Sequence, residues 1–279
     1  MKLSFYLKLS VLFLMTVFVW YFIVFAGNNL KEVDFLNVGQ GDSQLVRLGG
    51  VNILIDAGRD DKAVMELGKI LPFYDKKIDV LFITHPEEDH AQGVFNLLNK
   101  YKVGLAVLNG EKEKLYFPLV SAFEKNNISY LNLARGDKVS YASSTIDVLW
   151  PEDLKEETKK ATNESSLVLK VDLGDFKALL TGDIPEKIEN ILSSVGDLRA
   201  DVLKVAHHGS KYSSSEDFLK EVGPKLSVIE VGKNSYGHPT KEVLERLKDV
   251  ASNILRTDID GTVRVGFEEG KLRVYKIKN

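Results

Sequence analysis

Residues 79–90 read Asp-Val-Leu-Phe-Ile-Thr-His-Pro-Glu-Glu-Asp-His. The run Asp79–Thr84 has the composition of a buried strand, and it leads straight into four potential metal ligands, His85, Glu87, Asp89 and His90. Alternating side chains of an extended loop share one side, and a turn at Asp89-His90 brings the last of them round. Such spacing suits two adjacent divalent ions. The plainer reading is a solvated acidic turn before a helix that begins near Ala91. The rest of the chain favours the metal site.

Working outward, Val33–Val38, Ser43–Leu48 and Asn52–Asp56 are short β-type runs separated by glycines, the pattern of an antiparallel meander. Helical spacing over Asp61–Leu71 precedes the strand at 79–84, and a second helix is expected over Ala91–Lys100. Strand and helix then alternate: Gly104–Leu108, Phe117–Lys125, Ile128–Leu133. A β-rich stretch, Lys138–Leu149, leads into a charged loop, Pro151–Thr162, expected to be a mobile surface insertion. Strands are expected at Ser166–Leu173, Phe176–Thr181, Asp201–Ala206 and Leu226–Val231, helices at Pro185–Ser193, Ser215–Val222 and Thr240–Leu247, and a hairpin at the end. Two halves, each with strands followed by strand-helix alternation, predict an α/β fold of two mixed sheets face to face with helices outside, a four-layer αββα sandwich.

The first 28 residues differ in kind. After Lys2 and Lys8, the run Leu9–Ala26 carries no charge and is long enough to cross a bilayer. Val24-Phe25-Ala26 resembles a signal-peptidase site, in which case the domain over 29–279 would be secreted, but the apolar core is long for a signal peptide. The reading adopted is an uncleaved single-pass anchor. Positive residues precede the span and a balanced segment follows it, which places the N-terminus inside and the main domain in the extracytoplasmic space. No other stretch has bilayer length, so the chain alone forms no transport channel and any passage across the membrane would need a separate transporter.

Cysteine is absent, which excludes a disulfide framework and thiolate ligands. The net charge is -3, with acids outnumbering bases, so there is no global basic footprint for nucleic acid. Ligand-type residues instead collect at strand ends: Leu54-Ile-Asp-Ala-Gly58, Leu179-Leu-Thr-Gly-Asp183, Val205-Ala-His-His-Gly209 and Tyr236-Gly-His-Pro239. Each alone is weak, since an Asp after Gly is commonly a turn or cap and a His before Pro a surface turn. Yet all five histidines fall in these segments and the opening one, which structural need alone hardly produces.

Together, His85-x-Glu87-x-Asp89-His90, Thr181-Gly-Asp183 and His207-His-Gly-Ser210 resemble the metallo-β-lactamase superfamily. More narrowly, Leu36-Asn-Val-Gly-Gln-Gly-Asp-Ser43, Asn163-Glu-Ser-Ser166, Ala200–Ser210, Tyr236–Pro239 and Leu255–Gly261 are similar to the C-terminal metallohydrolase domain of ComEC-type DNA-internalisation proteins, over residues 33 to 265. The resemblance implies that His85, Asp89 and His90 are ligands, that Asp183 bridges two ions, and that His207 or His208 closes the second site. It also implies that Asp56 supports the ligand loop through hydrogen bonds. Asn163 stands where many superfamily members have a further ligand histidine. Glu87 replaces the Asp of ComEC-type domains and the His of the wider superfamily, and Asn37 replaces their usual Asp. An oxygen-rich ligand set shifts the expected metal toward Mn²⁺ over Zn²⁺.

Two such ions would lower the pKa of a shared water and clamp an in-line displacement, chemistry that suits a phosphodiester. The candidate metal ligands are therefore His85, Glu87, Asp89, His90, Asp183, His207 and His208, and the candidate catalytic residues Asp89, His208 and His238. His238, or whichever of His207 and His208 is not a ligand, would protonate the leaving oxygen. Lys204, Lys211 and Lys233 are candidates for contacts to neighbouring phosphates. The function expected is that of a membrane-anchored nuclease or phosphodiesterase acting on DNA. The alternatives are a hydrolase of small esters, lactones or lactams, and a non-catalytic adaptor whose metal site is degraded at Glu87 and Asn163.

Overall fold

The computed structural model describes residues 2–27, 30–109, 114–152 and 162–278. An N-terminal helix, α1 (Lys2–Gly27), precedes a meander of β1 (Lys31–Phe35), β2 (Gln44–Leu48) and β3 (Val51–Ile55). Then follow α2 (Lys62–Ile70), β4 (Lys77–Ile83), α3 (Glu88–Ala91), α4 (Val94–Leu97), β5 (Lys102–Leu108), α5 (Tyr116–Lys125) and β6 (Ser129–Leu131). The second part has β7 (Lys138–Tyr141), β8 (Ser144–Trp150), β9 (Val168–Asp172), β10 (Lys177–Leu180), α6 (Glu186–Val195), β11 (Val202–Lys204), α7 (Glu216–Val222) and β12 (Leu226–Ile229). It closes with α8 (Lys241–Asp249), β13 (Asn253–Arg256), α9 (Thr257–Asp260), β14 (Thr262–Glu268) and β15 (Lys271–Ile277).

Two mixed sheets result, one in the order β15-β14-β1-β2-β3-β4-β5-β6 and the other β13-β12-β11-β10-β9-β8-β7. Successive strand residues point to opposite faces, and here both faces are apolar, so the strands read as near-continuous hydrophobic runs. Val46, Ile53, Ile55 and Phe82 face Leu169, Val171 and Leu180 between the sheets. Their neighbours Leu45, Leu54, Leu81 and Ile83 turn outward against Leu67, Leu97, Leu119 and Phe123 of α2, α4 and α5. Leu179 and Leu203 of the second sheet meet Ile188, Phe218 and Val243 of α6, α7 and α8. This is the four-layer sandwich expected from the alternation of elements.

Three details depart from the sequence reading. The helix expected over Ala91–Lys100 is broken into α3 and α4, because the Gly93 amide leaves the helical ladder to donate to the Gly58 carbonyl at 2.8 Å, an approach so close that a Cβ at Gly93 would meet the Ala57 carbonyl oxygen at 2.0 Å. The division into two halves is not clean: the terminal hairpin pairs β14 with β1, so the end of the chain completes the first sheet. A short strand, β13, was not anticipated at Asn253–Arg256 and runs parallel to β12. Residues 153–161 of the charged loop expected to be mobile lie outside the described residues.

The long N-terminal helix is present, but among the described residues no helix is long and apolar enough to cross a membrane. Within α1 the side chains described are those of residues 6–18, fewer than a bilayer crossing requires.

Candidate metal centre

The parallel strands β3, β4, β10, β11 and β12 run in the same sense within each sheet, and their C-terminal ends carry the polar segments picked out from the sequence. After β4 the chain turns through Thr84–Glu87 into α3, delivering His85 and His90, both fully buried. Asp183 follows β10 and the histidine pair follows β11, with His207 and His208 at φ 51° and 54°. Non-glycine residues held in the left-handed region mark a backbone shaped by its site. Gly41 makes the approach of the first loop possible: at φ 135°, its missing Cβ would sit 2.2 Å from the Asp89 carbonyl oxygen.

Three imidazoles are held from behind. Thr84 Oγ1 donates to Asp56 Oδ2 at 2.6 Å, so its lone pair is left to accept from His85 Nδ1 at 3.1 Å. His90 Nδ1 lies 2.8 Å from the same Asp56 oxygen. His208 Nδ1 donates to the Glu230 carbonyl at 2.8 Å. The Nε2 atoms of His85, His90 and His208 are buried and make no hydrogen bond. They face one region. His90 Nε2 is 3.3 Å from Asp183 Oδ2, and His208 Nε2 is 3.4 Å from the same oxygen and 3.3 Å from Asp89 Oδ2. The His85 and His90 rings are 4.2 Å apart. Imidazoles whose Nδ1 is fixed by a hydrogen bond and whose Nε2 converges with carboxylates fit divalent cations.

Of the candidate ligands, His85, Asp89, His90, Asp183 and His208 are thus brought together. His207 stands at the edge, 31% exposed, with Nε2 3.9 Å from Asp183 Oδ2, so of the pair it is His208 that enters the cluster. Glu87 is also peripheral, its Oε2 3.9 Å from His85 Nε2. Asp42, quoted in its motif but given no role, proves central. One of its oxygens is 3.3 Å from His208 Nδ1 and the other 3.7 Å from His90 Nδ1. Ligand-type atoms of Asp42, His90, Asp183 and His208 all lie within 4.8 Å of one another. Because Asp42 addresses the Nδ1 side of both rings, it orients them from behind.

Lys204 corrects an expectation. It is fully buried, forms an ion pair with Asp42, lies 3.4 Å from Asp183 Oδ1 and donates to the Gly182 carbonyl at 2.8 Å. A lysine so enclosed has no access to a substrate phosphate. Its signal in the sequence was a charge inside the apolar run Val202–Val205, a placement that demands a buried partner. Lys233 is exposed, and Lys211 sits 5.1 Å over the Tyr212 ring.

Charge sets the proton affinities. Burial pushes His85 down to about 3, aided by the neighbouring His90. For His90 burial is outweighed by the carboxylates of Asp183, Asp42 and Asp56, which raise it well above the ordinary imidazole value. His208 is pushed up to about 10, as Asp183 and Asp42 overcome its burial. His207 and His238 are both lowered by burial, and each is lowered further by a neighbouring histidine. Both therefore lean toward the neutral form at pH 7. The His238 ring is 5.7 Å from that of His207, and its loop is fixed by Asn234 Oδ1, which accepts from the His238 amide at 3.1 Å.

The centre opens into a cleft of about 430 Å³ whose walls include Asp89, Asp183, His207 and His238. Its cations are Arg59 and Lys114, at 2.6 and 3.4 Å from the carboxylate of Glu88. Asn163 has a buried Oδ1 with no hydrogen bond.

The family model of the metallo-beta-lactamase superfamily matches residues 36–232. Among curated proteins, the chain is 32% identical over 268 residues to ComE operon protein 3 of Bacillus subtilis (strain 168), covering 88% of this chain and 34% of that protein. It is 32% identical over 260 residues to Competence protein ComA of Neisseria gonorrhoeae, covering 89% and 35%. The chain therefore spans about a third of the length of these relatives. In fold it is similar to the crystal structure of the metallo-beta-lactamase fold protein YhfI from Bacillus subtilis, at a TM-score of 0.54 and 13% identity, over 81% of this chain and 95% of that one. The chain belongs to the metallo-beta-lactamase superfamily, and its curated relatives are competence proteins of the ComEC type.

Proposed function

We propose that the protein is a membrane-anchored, metal-dependent phosphodiesterase that acts on DNA. The observation that carries the catalytic part is the convergence of three buried Nε2 atoms, none of them hydrogen-bonded, with Asp89 and Asp183 at the floor of an open cleft. His85, Asp89, His90, Asp183 and His208 would hold two divalent ions, Zn²⁺ or Mn²⁺, with Glu87 and His207 as outer contributors. Bound there, such ions supply a nucleophile at neutral pH and positive charge for the transition state. The chain's own groups do the rest. Asp56, Glu230 and Asp42 orient the imidazoles, Lys204 balances the carboxylates from inside, and Arg59 and Lys114 offer phosphate contacts at the cleft wall. His238 borders the scissile position as a neutral imidazole.

Relatives named for competence favour DNA as the substrate. The anchor is supported by the exposed side chains of α1: Leu7, Phe13 and Phe18 are each more than 60% exposed, and a helix apolar on all sides belongs in a lipid phase or a core. An extracytoplasmic domain and a separate DNA transporter as partner complete the reading.

The test uses the full chain in detergent, loaded with Mn²⁺ or Zn²⁺ and assayed on single-stranded DNA, duplex DNA, bis-p-nitrophenyl phosphate and a lactam. Phosphodiester cleavage that is lost in both Asp89→Ala and Asp183→Ala is expected. Cleavage of the lactam alone would move the protein to the small-substrate class. Equal activity of the variants and the parent would remove the site.

A further inference from the structure

The end of the sandwich opposite the cleft carries an exposed aromatic pair. Phe73 and Tyr74 sit in the turn before β4, 86% and 68% exposed, with ring centroids 5.4 Å apart in edge-to-face contact. Large apolar side chains held in water on a turn gain free energy when a second phase takes them up. Strand register shows what lies around them. Lys31 pairs with Leu48, Leu48 with Val51, and Lys77 with Lys102, so the starts of β1, β4 and β5 and the Gly49-Gly50 turn share one end. The Lys102 amide donates to the Lys76 carbonyl at 2.8 Å. Lys76, Lys100 and Lys102 are exposed there. Two acids beside the pair turn toward the chain, Asp75 Oδ2 accepting from Asn52 Nδ2 at 2.8 Å and Asp79 Oδ2 from the Asn52 amide at 2.9 Å, while Glu268 and Glu269 on the β14–β15 turn of the same end are exposed, with Glu269 Oε2 accepting from Arg273 at 3.0 Å.

Covalent geometry ties the same end to the N-terminal helix. α1 finishes at Gly27 and β1 starts at Lys31. Four residue steps reach at most about 15 Å.

We propose that this end of the domain rests on the bilayer surface, with Phe73 and Tyr74 inserted at headgroup level and Lys76, Lys100 and Lys102 facing anionic lipid. The inference depends on the reading of α1 as a membrane anchor. Aromatic rings favour the membrane interface, and lysines beside them are drawn to its negative surface. The metal centre leaves β4 at its far end, so the length of that strand, about 23 Å, holds the cleft off the membrane. Substrate would then arrive from the aqueous phase.

Because the chain has no cysteine, Phe73→Cys, Tyr74→Cys and Phe117→Cys each create one position for a polarity-sensitive fluorophore. Phe117 is 70% exposed in the first turn of α5, toward the cleft end, and serves as the control. The labelled full chain is reconstituted in vesicles of phosphatidylcholine and phosphatidylglycerol that contain nitroxide lipids. Labels at 73 and 74 are expected to be quenched severalfold more than the label at 117. Co-flotation with vesicles but equal quenching at all three positions overturns the docked orientation and leaves the anchor standing. Failure to co-float overturns the anchor reading, and the orientation with it. Quenching unchanged in pure phosphatidylcholine overturns the part assigned to the lysines.

Discussion

His90 Nδ1 lies 2.8 Å from Asp56 Oδ2, while the other oxygen of that carboxylate accepts the Thr84 amide at 2.8 Å. The arrangement fixes the tautomer. A carboxylate can only accept, so His90 presents Nδ1–H to it and keeps the Nε2 lone pair for the cluster.

Asp56→Asn tests this directly. The amide must turn its oxygen to the Thr84 N–H and its NH₂ to His90, which forces the opposite tautomer and blocks Nε2. Affinity for Zn²⁺ or Mn²⁺ is expected to fall about 10- to 100-fold, measured by titration calorimetry. Unchanged affinity would remove Asp56 from the support of the ligand loop.

Lys204 and Asp42 form a fully buried pair that joins the two sheets. Lys204→Met strands two carboxylates and is expected to cost about 3–5 kcal/mol of stability. The double variant Asp42→Asn/Lys204→Met removes charge on both sides and should recover part of that loss. Urea unfolding of the single and double variants checks it, and a double variant as unstable as Lys204→Met would contradict the pairing.

His208 is held at about 10, burial being outweighed by Asp183 and Asp42. In the metal-free fold a group raised above its unfolded value, about 6.5, contributes stability that is complete below pH 6.5 and is lost as pH rises through 10. A metal must displace that proton. Metal affinity should therefore climb about tenfold per pH unit from pH 7 to 9 on account of this residue. Calorimetry in buffers of different ionisation enthalpy should show proton release that falls by about one proton in His208→Gln, His90 still giving up its own.

The domain lacks a global basic surface, so its DNA contacts should be few and local. Arg59→Ala and Lys114→Ala are each expected to reduce the slope of log affinity against log salt by about one. Anisotropy titrations at several salt concentrations measure it. Slopes that match the parent would place the phosphate path elsewhere.

Much of this was legible in the chain because strand ends announce themselves. Apolar runs such as Asp79–Ile83 and Val202–Lys204 stop at His85, His90, Asp183 and the histidine pair, and the structure carries those strand ends to one side of the sandwich. The choice of His208 over His207 was not legible, because adjacent residues differ only in which way a left-handed backbone turns them. Asp42 was hidden for another reason. A lone aspartate between glycine and serine reads as a turn until Lys204, 162 positions later, is seen to neutralise it. The break at Gly93 likewise depends on a backbone contact with Ala57 that no periodicity encodes.

The central claim is that the three Nε2 atoms and the carboxylates of Asp89 and Asp183 share bound cations. Crystals of the Zn²⁺-loaded protein, with an anomalous difference map at the zinc edge, test it most directly. Peaks are expected about 2.1 Å from Nε2 of His90 and His208, with Asp183 between them. An ordered site without density there, under saturating Zn²⁺, would contradict it.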